Sequence, residues 1–194
     1  GLHERAGGTI YNVAAYISSD GELLNLHRKL MPTSTERLFW RQGDGSDMQS
    51  VEMADVKVNG LICFEHQKTL ARHALAIKGV QVHAALLPGH AFINGVIDPS
   101  TRHIAHENRC FVVVAREVMS VERLGKHLPD FSDEPEGWVS NGGSATIAPN
   151  AAYLVEPVFD AEMILYQELD FACIDDANWM FDGVGHYARP DVFA

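Results

Sequence analysis

Cys63 stands where an apolar run, Gly60-Leu61-Ile62-Cys63-Phe64, gives way to a helix-compatible stretch. A cysteine inside an apolar strand is by default a packing atom, so its position at the strand-to-helix turn is what singles it out. There the sulfur can face a cleft, and the N–H groups that open a helix favour a thiolate and can hold negative charge developing on a substrate atom. Lys29 closes the basic triplet His27-Arg28-Lys29 at the end of another expected strand. A lysine in such a triplet is ordinarily solvated, but neighbouring strand ends in a parallel or mixed sheet converge on one crevice. Glu36 follows in a loop that also carries Phe39 and Trp40, where a carboxylate needs a partner and Lys29 is the obvious one. A nucleophile, a cation and a proton-transfer group together suit attack on a carbon–nitrogen bond.

Other chemistries find less support. Ten histidines include His103-x-x-His106 and the pair His66 and His73, but there is no HExxH, and no cysteine lies at finger spacing from them. Asn141-Gly142-Gly143-Ser144 lacks the lysine and frame of a phosphate loop, and no GxSxG offers a serine nucleophile. Cys110 and Cys173 sit beside apolar residues and are expected to pack. Three cysteines without CxxC spacing favour a reducing compartment, hence a cytoplasmic protein. A net charge of −11 argues against nucleic acid and against anionic membrane surfaces. No apolar run approaches the roughly 18 residues of a membrane span, and Gly1 to Gly8 shows no export signal. No cofactor is implied.

The 194 residues suit one domain, 1–194, with 46% hydrophobic side chains available for a core. Thr9 to Ser18 and Leu23 to Leu26 read as a β-hairpin turning at Ser19-Asp20-Gly21-Glu22, followed by a loop from Pro32 to about Gly45. Val51 to Met53 and Val56 to Phe64 read as strands, the second covered on both faces. His66 to Lys78 reads as a helix with Leu70, Ala74 and Ile77 on one face and Gly79 as its stop. Val80 to Leu87 is a strand, Pro88-Gly89 a turn, Arg102 to Arg109 a short helix and Cys110 to Ala115 a buried strand. Val118 to Ser140, with Pro129, Pro135 and clustered acids, reads as a surface excursion. Ser144 to Ala148, Ala152 to Val155 and Met163 to Leu169 read as strands of an antiparallel or mixed end, and Asp175 to Met180 as a short helix. The class is α/β.

Several segments resemble the nitrilase branch of the carbon–nitrogen hydrolase superfamily. They are His27-Arg28-Lys29-Leu30-Met31-Pro32-Thr33, Glu36-Arg37, Gln42-Gly43-Asp44-Gly45 and Gly60-Leu61-Ile62-Cys63-Phe64-Glu65. The resemblance continues through Asn108-Arg109-Cys110-Phe111-Val112 and Gly142-Gly143-Ser144 to Gly185-His186-Tyr187-Ala188-Arg189-Pro190-Asp191-Val192-Phe193. It implies a four-layer α-β-β-α sandwich that forms homodimers or larger spiral homo-oligomers and acts on a small-molecule nitrile. By the same resemblance Cys63 attacks the nitrile carbon to give a thioimidate, Lys29 stabilises the charged intermediate, and Glu36 orients groups around Lys29 and the substrate. Phe64 and Glu65 flank the nucleophile as substrate-binding or oxyanion neighbours, with Glu65 anchoring the nucleophile turn.

Three departures accompany the resemblance. The family's principal base glutamate precedes the lysine motif, and Glu4 does not correspond to it. Phe64 stands where tryptophan is usual, Thr69 where proline is common and Gln67 where an aromatic is frequent. The sequence reads as an internal slice of a longer protein, with exposed apolar edges expected as a result. Beside the nitrilase reading stand a cyanide-converting relative, an amidase with the same triad, and a catalytically silent domain that acts by self-association.

Overall fold

The structure is a computed structural model that describes residues 1–125 and 137–193. Its first three strands, β1 (Leu2–Ala6), β2 (Thr9–Ile17) and β3 (Leu23–Arg28), form an antiparallel sheet in the order β1-β2-β3. The hairpin of β2 and β3 is as expected from its turn chemistry. β1 was not: Leu2-His3-Glu4-Arg5-Ala6 has no apolar alternation, and it is a strand because it pairs in register with β2, Leu2 opposite Val13 and Ala6 opposite Thr9.

The second sheet holds β4 (Val51–Met53), β5 (Val56–Ile62), β6 (Val82–Leu87), β7 (Phe111–Arg116), β8 (Val118–Ser120), β9 (Trp138–Ile147) and β10 (Tyr153–Phe159). Its order is β10-β9-β7-β6-β5-β4, with β8 beside β9. The central pairs β5–β6 and β6–β7 are parallel and the flanks antiparallel, as the apolar middle and turn-rich back end imply. Gly60 sits at the tightest point between β5 and β6: a Cβ there would collide with the Ala84 carbonyl oxygen and lie 2.9 Å from the Tyr16 hydroxyl.

Helices α1 (Thr69–Ala76) and α2 (Asn94–Asn108) cover one face of this sheet. Ile97, Ile104 and Ala105 of α2 pack on Ala85 and Leu87 of β6, Val112 and Val114 of β7, and Ala145 and Ile147 of β9. Ala71 and Leu75 of α1 pack on Leu61. On the opposite face Ala14 and Tyr16 of β2 meet Ile62 of β5. Helix, sheet, sheet are thus three consecutive layers of the expected sandwich, and the α/β class stands.

Several expected boundaries need correction. β5 stops at Ile62, not Phe64, because Cys63 adopts a left-handed backbone with φ 55° and opens a 3-10 turn, Cys63–Gln67. The helix expected from His66 therefore begins at Thr69, and its buried stripe is Ala71, Leu75 and Ala76, while Leu70 and Ile77 are exposed. α2 begins eight residues before Arg102 and carries Pro99 in its interior, where burial of Ile97, Thr101, Ile104 and Ala105 outweighs the missing backbone bond.

Val118 to Ser140 opens as β8 and α3 (Val121–Gly125) and closes in β9, pairing Val118 with Asn141; its stretch 126–136 lies outside the described residues. Met163–Leu169 is not a strand: Met163, Ile164 and Tyr166 are exposed and no ladder partner lies beside them among the described residues. Asp175 to Met180 falls within α4 (Ala172–Met180), and Pro190–Phe193 forms the single turn α5. No helix among the described residues is long and apolar enough to cross a membrane.

Candidate active site

Lys29 follows β3 directly and is 1% exposed. Its backbone is held on both sides, N–H to the Asn12 carbonyl at 2.9 Å and carbonyl from the Gly43 N–H at 2.8 Å. A buried ammonium is costly unless paired. Lys29 Nζ donates to Glu36 Oε2 at 2.6 Å and to Thr33 Oγ1 at 3.1 Å. Glu36 lies in a 3-10 turn, Ser34–Leu38, and the same Oε2 accepts the Thr33 N–H at 2.6 Å. The turn thus aims Glu36 back at the strand end that carries Lys29.

Cys63 occupies the parallel-strand end of β5, half-buried. A non-glycine residue at positive φ costs of order 1–3 kcal/mol and persists only where its surroundings enforce it. Glu65 supplies that enforcement: 1% exposed, it accepts the Ile62 N–H at 2.7 Å, the Leu30 N–H at 2.6 Å and His27 Nε2 at 3.1 Å. Burial alone would raise the pKa of the Glu65 carboxyl, but the hydrogen bond and charge of His27 with the two N–H groups hold it below the usual range. His66 adds a bond from its ring Nδ1 to the Cys63 carbonyl at 2.7 Å. Both Glu65 oxygens are taken up by these partners, and Glu65 is not among the residues that line the pocket at Cys63.

The thiol departs from expectation. Burial pushes the Cys63 pKa up, and the nearby Lys29 charge, Phe64 N–H and Thr33 hydroxyl, which favour the thiolate, recover only part of this while Glu36 opposes them. The reason is local: Cys63 opens a five-residue 3-10 turn, and the first α-helix starts only at Thr69. Desolvation therefore favours the protonated form of the Cys63 sulfur.

Cys63, Glu36, Asn12, Val13, Ile62, Leu86, Leu87, Pro88 and Glu117 line one solvent-open pocket of about 320 Å³. Phe64 is exposed and is not among the residues lining this pocket, but its backbone N–H bonds the Cys63 sulfur and favours the thiolate. His27 and Thr33 stand in the segment around Lys29 without an assigned role, and no sequence signal singles out Asp47 or Glu117. Strand alternation offered a signal for His27, which shares a side of its strand with the position of Lys29; Glu117 reaches the pocket wall through the β7 crossing, which no local pattern announces. Glu4 is committed to a bidentate pair with Arg28 at 2.7 Å and is absent from this pocket.

Among the other candidates, Cys110 is fully buried and pushed up to about 12, a packing thiol. Cys173 is exposed on α4, contrary to the packing role expected of it, because α4 buries none of its residues. His103 lies 3.6 Å from Glu107, and His106 stacks on Phe181 with ring centroids 5.8 Å apart.

With this geometry in place, the likeness to known proteins is informative. The aliphatic nitrilase of Sinorhizobium fredii is 39% identical over 100% of this chain and 62% of its own length. Nitrilase 2 of Arabidopsis thaliana is 38% identical over 99% of this chain and 58% of its own. The chain thus spans about 60% of the length of the curated relatives it matches. A solved carbon–nitrogen hydrolase from Helicobacter pylori superposes with TM-score 0.83 at 18% identity, over 99% of this chain and 68% of that one, a likeness of fold. The carbon–nitrogen hydrolase pattern itself matches residues 1–178, the stretch that carries Lys29, Glu36, the Cys63 turn and both sheets, and by that match the chain belongs to the carbon–nitrogen hydrolase family.

Proposed function

We propose that the protein is a nitrilase that converts a small organic nitrile to the carboxylic acid and ammonia through covalent intermediates on Cys63. The observation that carries this reading is the buried Lys29 paired at 2.6 Å with the half-buried Glu36, beside the Cys63 thiol, with Glu36 and Cys63 lining one pocket. The nitrilase relatives at 38–39% identity support the same substrate class.

In this reading the sulfur adds to the nitrile carbon as its proton passes through the Glu36 carboxylate to the nitrile nitrogen, giving a neutral thioimidate. Lys29 faces the negative charge that develops on nitrogen during the addition, and the Phe64 N–H assists. Water then adds to the thioimidate carbon, and the tetrahedral intermediate expels ammonia to leave a thioester. A second water releases the acid and returns the thiol. The pocket's mostly apolar wall of Val13, Ile62, Leu86, Leu87 and Pro88 suits a hydrocarbon substituent on the nitrile. The reading extends to a single cytoplasmic domain that self-associates.

The test is ammonia release from aliphatic and aromatic nitriles by the chain and by Cys63→Ala, with acid and amide products separated. Cysteine-dependent acid and ammonia are expected. Amide alone would mean that the tetrahedral intermediate expels sulfur in preference to ammonia. No turnover from a well-folded chain would favour a silent, self-associating domain.

A further inference from the structure

The side chain of His27 is 3% exposed and lies between two carboxylates, Nδ1 at 2.7 Å from Asp47 Oδ1 and Nε2 at 3.1 Å from Glu65 Oε2. A neutral imidazole presents one N–H and one lone pair, so one of these nitrogens would turn a lone pair on a carboxylate oxygen with no room for water between. Asp47 Oδ2 accepts the Arg28 N–H at 2.9 Å, and Glu65 accepts the Leu30 N–H at 2.6 Å and the Ile62 N–H at 2.7 Å. Those three N–H groups flank Lys29 on both sides and immediately precede Cys63.

We infer that His27 is a positioning residue that carries protons on both ring nitrogens at neutral pH and, as an imidazolium between Asp47 and Glu65, fixes the Lys29 strand end against the Cys63 turn. Three segments distant in sequence, around residues 27, 47 and 65, are thereby tied by one charge. The direction of the ring's titration agrees: burial works against the charge, but the bonds and charges of Glu65 and Asp47 outweigh it and raise the pKa. The other titratable groups around it do not compete for the proton. Tyr16 of β2 is pushed up by its own burial and by Glu65 and Asp47, and His66 of the nucleophile turn is held at about 4 by burial. That the clamp serves catalysis rests on the nitrilase reading; that it holds a proton does not.

The test combines ring-nitrogen NMR of the whole chain with labelling and turnover. The His27 signal, assigned by its loss in His27→Gln, is expected to show two protonated nitrogens at pH 7, and Asp47→Asn to move its titration downward. In His27→Gln, where an amide donates to only one carboxylate, the pH midpoint of Cys63 alkylation by iodoacetamide is expected to rise. If nitriles are turned over, kcat is expected to fall by up to about 100-fold with little change in KM, as for a displaced catalytic group. A single-proton tautomer at pH 7, or a titration that Asp47→Asn leaves unmoved, overturns the proposal. Absence of nitrile turnover in the parent chain defeats the nitrilase reading alone, since NMR and alkylation still decide the clamp. If His27→Gln does not fold, the ring signal is assigned through bonds from the His27 backbone, and Asp47→Asn, which keeps the ring, decides it.

Discussion

The Cys63 sulfur is pulled in two directions, and the outcome sets how it must react. Lys29, the Phe64 N–H and the Thr33 hydroxyl favour a thiolate, yet desolvation prevails and the thiol keeps its proton above its ordinary value of 9.0. A raised pKa means the thiolate is scarce at neutral pH and grows only as pH climbs through that higher value. Iodoacetamide labelling followed by mass spectrometry is therefore expected to modify exposed Cys173 before Cys63 at pH 7, with the Cys63 rate still rising above pH 9. Lys29→Met is expected to move that rise to still higher pH. The Lys29–Glu36 pair yields a second prediction, since removing one partner of a buried pair strands the other. Glu36→Gln is expected to destabilise the fold by about 3 kcal/mol, the low end for such pairs because Glu36 keeps some solvent. Urea denaturation is expected to show the double variant Lys29→Met with Glu36→Gln recovering most of that loss.

At the scale of elements, the site depends on how closely β5 approaches β6 and β2. Gly60 lies three residues before Cys63, on the face where Tyr16 of β2 crosses, and the Ala84 carbonyl leaves no room for a side chain. Gly60→Ala must push β6 or β2 aside, and overpacking of this kind costs about 1–3 kcal/mol. Chemical denaturation is expected to show a loss in that range, with Cys63 alkylation altered because the displaced strand ends in the nucleophile turn. The same spacing explains why local patterns misplaced the next helix. A five-residue 3-10 turn pinned by Glu65 and His66 uses up the residues whose periodicity suggested an earlier start, and Lys68 is extended before α1 begins.

For the molecule as a whole, the joint between the two sheets is electrostatic as well as apolar, and its stability has a pH window. Glu65 has a lowered pKa, so its contribution is present above the unfolded value of 4.5 and is lost as pH falls through the lower folded value. His27 has a raised pKa, so its contribution is complete below the unfolded value of 6.5 and is lost as pH rises through the higher folded value. The difference in urea midpoint between the parent chain and His27→Gln is expected to be largest between pH 4.5 and 6.5 and to shrink on either side. A constant difference across that range would mean that His27 contributes packing alone.

Whatever depends on neighbours along the chain can be read from the amino-acid order alone. The turn chemistry at Ser19 to Glu22, the apolar runs of β5, β6 and β7, and the residue types Lys29, Glu36 and Cys63 were all legible there, as was Glu36's need for a cation. Tertiary structure decided what depends on pairing at a distance. Leu2–Ala6 is a strand because β2 offers it an edge, whereas Met163–Leu169, with the stronger strand pattern, pairs with no strand among the described residues and leaves Met163, Ile164 and Tyr166 exposed. The buried stripe of α1 is Ala71 and Leu75 because Leu61 lies beneath them, not because of their spacing. The protonation of Cys63 and the charge on His27 follow from desolvation and from carboxylates 20 and 38 residues away, quantities that exist only once the chain has closed around them.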